Sequence, residues 1–409
     1  MTKITDIPAI RFKGFSDTWE QRKFDEVFDC TIPNNTLSRA ELNYESGSVR
    51  NIHYGDILIK YGSVVDVQND EIPFATGKSS DDFKGALLRD GDIIIADTAE
   101  DETTGKACEI GNSQGLDVVS GLHTMVCRPR NKMALGYLGY YLNSDAYHHQ
   151  LLPLMQGIKV LSLSRTNVQK TMVCYPKSKA EQQLIADCFR NLDNLITLHQ
   201  RKYDKLTNVK KSMLGKMFPQ NGSNVPEIRF KGFTEAWEQR KLGEIGSVSM
   251  CRRIFKEQTS ENGEIPFYKI GTFGGEADAF ISRELFEEYK AKYQYPKKGD
   301  ILISASGSIG RTVVFTGKNE YFQDSNIVWL NHDKHLDNSF LKCFYSIVKW
   351  AGIEGSTIKR LYNDNILNTA ITLPSVEEQQ KIGAYFENLD NLITLHQREF
   401  VFLCKEKIE

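Results

Sequence analysis

Eleven residues, NLDNLITLHQR, occur at 191–201 and again, unchanged, at 388–398. Leu192 and His199 belong to a row of mostly apolar residues with a seven-residue spacing, and further apolar residues flank that row. This spacing is typical of one face of a long helix. Because most helical stability comes from packing such a face, we expect the copies to pack antiparallel as a coiled coil. His199 and its counterpart His396 then make an interhelical polar contact. The alternative is two ordinary core helices in separate domains.

Each helix has a predicted start. Ser178 is followed three residues later by Glu181, and Ser375 is followed at the same spacing by Glu378. In this capping-box pattern the serine and the glutamate each satisfy a free backbone N–H group of the other residue. The predicted helices span about 178–218, roughly 60 Å at 1.5 Å per residue, and about 375–409.

A second duplication opens each half of the chain. IPAIRFKGFSDTWEQRK at 7–23 returns as VPEIRFKGFTEAWEQRK at 225–241, and a turn-forming linker, PQNGSNVP, precedes the second copy. Between each opening block and its helix lie short β-like runs and one helical patch, which predict a mixed α+β domain. We predict strands at 56–60, 92–96, 117–120, 124–127, 300–304, 311–315 and 326–330, and helical patches at 134–151 and 338–348. The Gly-Asp-Ile triplets that begin at Gly91 and Gly299 look like equivalent strand starts.

The composition of the 409 residues fits a reduced cytoplasm. The eight cysteines stand singly, no secretory signal opens the chain, and no stretch reaches the length of a membrane span. The formal net charge is −2, and residues 1–156 carry 15 Lys+Arg against 23 Asp+Glu. A lone nucleic-acid binder is expected to be basic. The charge therefore argues either against DNA or for partners that supply the cationic surface.

No motif predicts catalysis. Walker A, GxSxG, HExxH and Asn/Asp-Pro-Pro-Tyr motifs are absent from the sequence, and no histidine or cysteine group has metal-ligand spacing. Glu288 and Lys290 have the spacing of a metal-dependent nuclease, but a charged helical surface is the better explanation. The carboxylates within 97–102 could bind a cation or form a solvated acidic loop.

Two loops have the composition of recognition loops. SASGSIGR at 304–311 and DTAEDETTGK at 97–106 both end in a glycine followed by a cation, so their backbone N–H groups could approach a phosphate. The alternative is an ordinary tight connection. STIKRLY at 356–362, with GIKVLSLSR at 157–165 as its counterpart, adds cations, and the polar run at 323–326 could read base edges.

The whole pattern resembles the specificity subunit of type I restriction–modification enzymes. The resemblance is carried by the WEQRK blocks around Trp19 and Trp237, by GDILISASGSIGRT, YFQDSNIVWL and STIKRLYNDNI, and by Glu-Gln-Gln before each NLDNLI; GDIIIADTAEDETTGKA and SGLHTMVCRP carry it in the first half. It implies a fold of class α+β, with two mixed α/β target recognition domains separated by two long antiparallel helices that form a coiled-coil spacer. The implied regions are a first recognition domain (1–156), a central region (157–224), a second recognition domain (225–355) and a C-terminal region (356–409).

The resemblance also implies a function. Each recognition domain reads one half of a bipartite, asymmetric sequence in double-stranded DNA, and the helices fix the gap and dock two methyltransferase subunits. This chain is expected to be non-catalytic and to bind no cofactor, with S-adenosylmethionine, ATP and magnesium on the methyltransferase and restriction subunits. The second helix stops at Glu409, the counterpart of Ser212, which departs from longer members of the family.

Candidate residues follow from the loops and from the outer faces of the helices. The candidates for DNA contact are Thr104, Lys106, His123, Lys159, Ser306, Ser308, Arg311, Gln323, Lys359 and Arg360. The candidates for subunit docking are Arg190, Arg201 and Lys205. Replacing Arg311 or Arg360 by alanine is expected to weaken one half-site by about 1–3 kcal/mol if the contact is bidentate to a base. A nuclease and a scaffold that never touches DNA remain the alternatives.

Overall fold

The computed structural model describes residues 8–220, 222–351 and 360–408. The chain forms two compact units. Unit 1 comprises Met1–Leu198 with Glu399–Glu409, and unit 2 comprises His199–Arg398. The two long helices therefore contribute one part to each unit. No helix among the described residues is long and apolar enough to cross a membrane.

The first half of the chain is built from short strands and short helices that lead into one long helix. Its strands are β1 (Glu20–Lys23), β2 (Phe28–Asp29), β3 (Leu42–Asn43), β4 (Val49–Ile52), β5 (Val64–Asp66), β6 (Phe74–Ala75), β7 (Ile93–Ala96), β8 (Thr98–Ala99), β9 (Ala107–Gly111), β10 (Asp117–Ser120), β11 (Thr124–Pro129), β12 (Leu161–Ser162) and β13 (Met172–Tyr175). Its helices are α1 (Phe24–Val27), α2 (Tyr54–Ile59), α3 (Tyr137–Leu142), α4 (Asp145–His148), α5 (Arg165–Val168) and α6 (Lys179–Met217), with 3-10 turns at Arg39–Glu41, Ser80–Phe83 and Leu152–Leu154.

The second half repeats this plan with fewer elements. Its strands are β14 (Glu238–Lys241), β15 (Gly246–Ser249), β16 (Ile265–Tyr268), β17 (Phe280–Ile281), β18 (Ile301–Ser304), β19 (Thr312–Val314), β20 (Tyr321–Phe322), β21 (Ile327–His332) and β22 (Ala370–Leu373). Its helices are α7 (Leu242–Ile245), α8 (Arg283–Lys292), α9 (Asn338–Tyr345), α10 (Asn363–Asn368) and α11 (Val376–Ile408), with a 3-10 turn at Lys256–Gln258.

Each unit has a main sheet centred on one antiparallel pair. In unit 1 the order is β2-β11-β7-β9-β5, and in unit 2 it is β15-β21-β18-β19. The pairs β7–β11 and β18–β21 correspond, because Ala96 faces Thr124 and Ser304 faces Ile327 at the same end. In both units the end of the opening block also pairs with the strand before the long helix, as β1–β13 and β14–β22. The predicted mixed α/β class is confirmed.

The predicted equivalence of the Gly-Asp-Ile triplets is confirmed. Gly91 and Gly299 both have a left-handed φ, +90° and +96°, which a residue with a side chain rarely adopts. The aspartate that follows each glycine accepts a hydrogen bond of 2.8 Å from the backbone N–H three residues before it. This turn starts β7 and β18 in the same way, so the two halves share one scaffold despite their different sequences.

The predicted strand at 56–60 is wrong, because residues 56–59 lie in α2 and Lys60 is the C-cap of that helix. His53 caps the helix and accepts a hydrogen bond from the backbone N–H of Gly55 at 3.2 Å. The carboxylate of Asp56 is buried and accepts two hydrogen bonds from the guanidinium of Arg39, at 2.8 and 2.9 Å. The cap and this ion pair favour the helix over the strand that the apolar residues predicted.

The predicted helix starts are half right. The hydroxyl of Ser178 accepts from the N–H of Glu181 at 3.5 Å, and the second copy repeats this contact at 3.3 Å. The carboxylate of Glu181, however, accepts two hydrogen bonds from Arg11, at 2.6 and 2.9 Å, and Glu378 does the same with Arg229, at 2.7 Å each. Both carboxylates are almost fully buried. The opening block therefore anchors the start of each long helix through a duplicated ion pair.

The long helices pack antiparallel, as predicted. In unit 2 the side chain of Leu206 packs against a core that contains Ile382 and Leu389. His199 and His396 meet there with their Nδ1 atoms 3.1 Å apart, which confirms the predicted interhelical contact. Two ion pairs join counterpart positions of the helices. In unit 2 Lys210 donates to Asp390, and in unit 1 Lys407 donates to Asp193.

Candidate nucleic-acid interface

Three separate segments meet at one edge of the main sheet in each unit. In unit 1 the N–H of Asp97 donates to the carbonyl of His123 at 3.1 Å, and the N–H of Leu163 donates to the carbonyl of Asp97 at 2.8 Å. In unit 2 Ala305 donates to the carbonyl of Asn326 at 2.7 Å, and Leu361 donates to that of Ala305 at 2.8 Å. The predicted recognition segments are thus brought together by matching backbone hydrogen bonds.

The two predicted loops are structural counterparts as well. Gly105 donates its N–H to the carbonyl of Ala96 at 2.8 Å, and Gly310 donates to that of Ser304 at 3.0 Å. The cation that follows each glycine donates to backbone carbonyl groups, although Arg311 is exposed and Lys106 is half-buried. The ammonium of Lys106 donates to the carbonyls of Leu58 and Tyr61 at 3.0 and 3.1 Å, and burial lowers its pKa. The guanidinium of Arg311 donates to the carbonyl of Phe273 at 2.6 Å. In this structure the side chains of Lys106 and Arg311 therefore stabilise nearby backbone through these hydrogen bonds.

The other candidates in unit 1 differ in accessibility. Thr104 is fully buried, and its hydroxyl donates to the carbonyl of Asp101 at 2.9 Å, so it has no surface for a ligand. His123 is half exposed, has a left-handed φ of +53°, and lies with its Nδ1 3.6 Å from a carboxylate oxygen of Asp97. Lys159 is exposed. Of these three residues, His123 and Lys159 present side chains at the surface.

Two candidates in unit 2, Ser306 and Arg360, contact the turn at 324–326, and Gln323 directly precedes it. The hydroxyl of Ser306 donates to the side-chain oxygen of Asn326 at 2.8 Å, and Ser308 is exposed. Gln323 is half-buried, and its side-chain oxygen accepts from the N–H of Ile270 at 2.9 Å. Arg360 is exposed and donates to the carbonyl of Ser325 at 3.3 Å. Lys359 lies outside the described residues.

Sequence reasoning missed Arg253, which lies at the same turn. Its Nε donates to a carboxylate oxygen of Asp324 at 2.9 Å, and 61% of its side chain is exposed. The spacing of the two opening blocks could have pointed to this position, because it aligns the two halves of the chain. The blocks are offset by 225 − 7 = 218 residues, which matches Arg253 with Asn35 at the corresponding turn of unit 1.

The candidate docking residues occupy different environments. Arg190 is bound within unit 1, where its guanidinium donates to Asp187 at 2.7 Å and to the carbonyl of Leu135 at 3.1 Å. Arg201 and Lys205 are exposed on α6. The helices also expose leucines that are not among the predicted docking residues. They lie at counterpart positions of the two copies, 197 residues apart: Leu195 with Leu392, and Leu198 with Leu395.

The nuclease-like spacing belongs to a helix surface. Glu288 pairs with Lys292 at 2.8 Å one turn later on α8, and the ammonium of Lys290 lies over the rings of Phe286 and Tyr295. Within the described ranges, no group of three or more His, Cys, Asp or Glu side chains is arranged to hold a metal ion. The acidic loop at 97–102 uses its Asp101 carboxylate to accept hydrogen bonds from Thr103.

Comparison with known proteins agrees with this architecture. The sequence profile of the type I restriction modification DNA specificity domain matches residues 16–208 and 234–400. A putative type I restriction enzyme specificity subunit of Haemophilus influenzae is 42% identical over 276 residues, 66% of this chain and 69% of that protein. A putative specificity subunit of the type I restriction enzyme MjaX of Methanocaldococcus jannaschii is 23% identical over 429 residues, 100% of this chain and 92% of its own length.

Two solved structures share the fold. The S subunit of a type I restriction–modification system from M. genitalium has a TM-score of 0.61 at 13% identity, over 98% of this chain and 96% of that chain. A chain from a structural study of complex assembly and conformational transition in the type I R-M system has a TM-score of 0.51 at 17% identity, over 98% and 97%.

Proposed function

Because this chain belongs to the type I restriction–modification DNA specificity family, we propose that each of its repeats reads one half of a bipartite DNA target. One observation carries the proposal. The two units build the same edge from three segments with matching backbone hydrogen bonds, yet place different side chains on it, such as His123 in one unit and Arg360 in the other. A shared scaffold with unlike surfaces suits a protein that reads two unlike sequences.

The long helices fix the gap between the half-sites in this proposal. The 39 residues of α6 form one uninterrupted helix, about 58 Å long at 1.5 Å per residue. Such a rod resists bending better than a loop of equal length. Its contacts with α11, including His199 with His396 in unit 2 and Asp193 with Lys407 in unit 1, stiffen it further.

The same helices dock two methyltransferase subunits in this proposal. Leu195 and Leu198 are 42% and 44% exposed, and their counterparts Leu392 and Leu395 are 43% and 49% exposed. An exposed apolar pair favours binding of a partner protein, because the partner would remove this apolar surface from water. Identical pairs in identical sequence suit two copies of one partner. Arg201 and Lys205 add charge near the first pair, and Arg190, held by its own unit, is less suited to the role.

In this proposal the partner subunits catalyse the reactions of the complex. The chain itself is non-catalytic, and the methyltransferase and restriction subunits carry S-adenosylmethionine, ATP and magnesium. The partners also supply part of the phosphate contact, because this chain has a formal net charge of −2. Counterion release makes phosphate binding steeply salt-dependent, so steep dependence with tight binding by this chain alone would contradict that part. A cytoplasmic location follows from the same proposal.

Deleting the gene and sequencing the methylated bases of the genome tests the proposed function. The expected result is loss of methylation at one split motif, with restoration when the gene is supplied again. A scaffold that does not touch DNA would leave every methylated motif unchanged. Cleavage of DNA by the purified chain with magnesium alone would favour the nuclease alternative.

A further inference from the structure

We infer that Arg253 and Arg360 form a guanine-reading pair in the second repeat, with Asp324 as the residue that positions Arg253. The inference rests on the proposed function and deepens it, because it assigns residues and a base to one half-site. It adds a residue from a segment outside the predicted recognition loops. Three segments converge on the turn at 324–326.

Two arginines from distant parts of the sequence hold this turn. The Nε atom of Arg253 donates to the Asp324 carboxylate at 2.9 Å, and a terminal nitrogen of Arg360 donates to the carbonyl of Ser325 at 3.3 Å. Arg253 is 61% exposed, whereas Asp324 is only 14% exposed. The carboxylate is therefore part of the fold, while the arginine that it holds faces solvent.

The turn at 324–326 is held in one conformation by hydrogen bonds. Ser325 has a left-handed φ of +61°, which is uncommon for a residue with a side chain. The N–H of Asn326 donates to the carbonyl of Asp324 at 2.7 Å, and the Asn326 side chain accepts from Ser306 at 2.8 Å. Backbone in such a conformation persists only where its surroundings hold it, and such positions concentrate at functional sites.

The chemistry of the held guanidinium favours a base over a phosphate. Arginine has five N–H donors in a planar fork, and Asp324 occupies Nε. Among the residues that the structure describes, the terminal nitrogens of Arg253 donate no hydrogen bond. That leaves the part of the fork that matches O6 and N7 of guanine in the major groove. The adjacent carboxylate repels an anionic phosphate, whereas a neutral base edge is not repelled in this way.

The first repeat has different chemistry at the same turn. The offset of 218 residues matches Arg252 and Arg253 with Asn34 and Asn35. Both asparagines donate their side-chain N–H groups to backbone carbonyls at the end of β10 and at the start of the turn that leads to β11. Asn34 donates to the carbonyl of Gly121 at 3.3 Å, and Asn35 donates to that of Ser120 at 2.9 Å. The guanine-reading pair therefore belongs to one repeat, and its loss should affect one half-site alone.

The experiment uses the chain co-expressed with its methyltransferase partner, followed by sequencing of methylated bases. The variants are Arg253→Ala and Arg360→Ala. The matched control is Arg283→Ala, because Arg283 is also exposed and its Nε donates to Glu264 at 3.0 Å in the same unit. Each test variant should relax one G·C position in one half-site and leave the other half-site intact, while the control should keep the wild-type motif.

A modified base separates base reading from phosphate contact. Replacing the guanine at the relaxed position by 7-deazaguanine removes the N7 acceptor. It should weaken binding of the wild-type complex roughly tenfold and should leave the Arg253→Ala complex unaffected. An unchanged motif in the variants, or a partial drop in methylation that is uniform across sequences and leaves the sequence preference unrelaxed, would overturn the inference.

Complete loss of methylation in a variant and absence of a motif in the wild-type complex are interpreted separately. If Arg253→Ala abolishes methylation altogether, Arg253→Lys keeps the charge and removes the fork. Relaxed recognition by the lysine variant then supports the inference, and wild-type recognition contradicts it. Failure of the proposed function looks different, because the wild-type complex would then show no bipartite motif at all.

Discussion

Replacing Phe386 by alanine should destabilise the protein far more than replacing Phe189, although both residues precede the same duplicated sequence. Phe386 is 1% exposed and lies in the core of unit 2, with its ring 5.2 Å from that of Tyr385 and 6.5 Å from that of Phe218. Phe189 is half-buried and stacks on Tyr140 at 5.4 Å. Both lie on long helices at corresponding positions, so helix propensity contributes equally.

The magnitudes follow from burial. Removing a fully buried phenylalanine side chain costs about 3–5 kcal/mol, through lost transfer free energy and the cavity that remains. For the half-buried ring we expect about half that loss, because the transfer free energy scales with the apolar area covered. The free energy of unfolding should therefore fall by about 4 kcal/mol for Phe386→Ala and by about 2 kcal/mol for Phe189→Ala.

Urea unfolding of the two variants measures this difference, with amide hydrogen exchange showing which unit is affected. Faster exchange should concentrate in unit 2 for Phe386→Ala and in unit 1 for Phe189→Ala. Equal losses in the two variants would refute the reasoning, because they would mean that the duplicated sequence sets the energy and the surrounding core does not.

Three further outcomes are expected. Arg229→Ala should lower the unfolding midpoint more than Arg240→Ala, because it removes the partner of the buried Glu378 carboxylate, whereas the two glutamates that pair with Arg240 are exposed; equal midpoints would contradict this. Burial raises the pKa of Glu109 from an ordinary 4.5 to about 7, so the unfolded chain loses this proton at lower pH than the folded chain. The contribution to stability is complete below pH 4.5 and is lost as the pH rises towards 7, and thermal unfolding of Glu109→Gln should lack this component of the pH dependence. Replacing Leu195 and Leu392 together by aspartate should abolish co-purification of the methyltransferase subunit and leave the unfolding midpoint nearly unchanged; undiminished co-purification would show that docking uses another surface.

Local pattern alone was enough to predict the duplicated framework. The seven-residue rows around NLDNLITLHQR predicted long helices, and α6 and α11 are observed at Lys179–Met217 and Val376–Ile408. Heptad spacing and a serine cap are properties of neighbouring residues, so they can be read without knowing the fold. The same holds for the turn at Gly91 and Gly299, where one left-handed residue and one aspartate define the start of a strand.

Long-range contacts decided the rest. DILI occurs at 56–59, in helix α2, and at 300–303, where it enters strand β18. An apolar run of four residues fits either structure, and the ion pair of Asp56 with Arg39 and the cap at His53 select the helix. Likewise Glu181, expected to cap its own helix, binds Arg11, 170 residues away. Neighbouring residues determine the periodicity of a helix or strand. The partner of a buried charge depends on tertiary contacts, because only folding brings residues that are distant in the sequence close together.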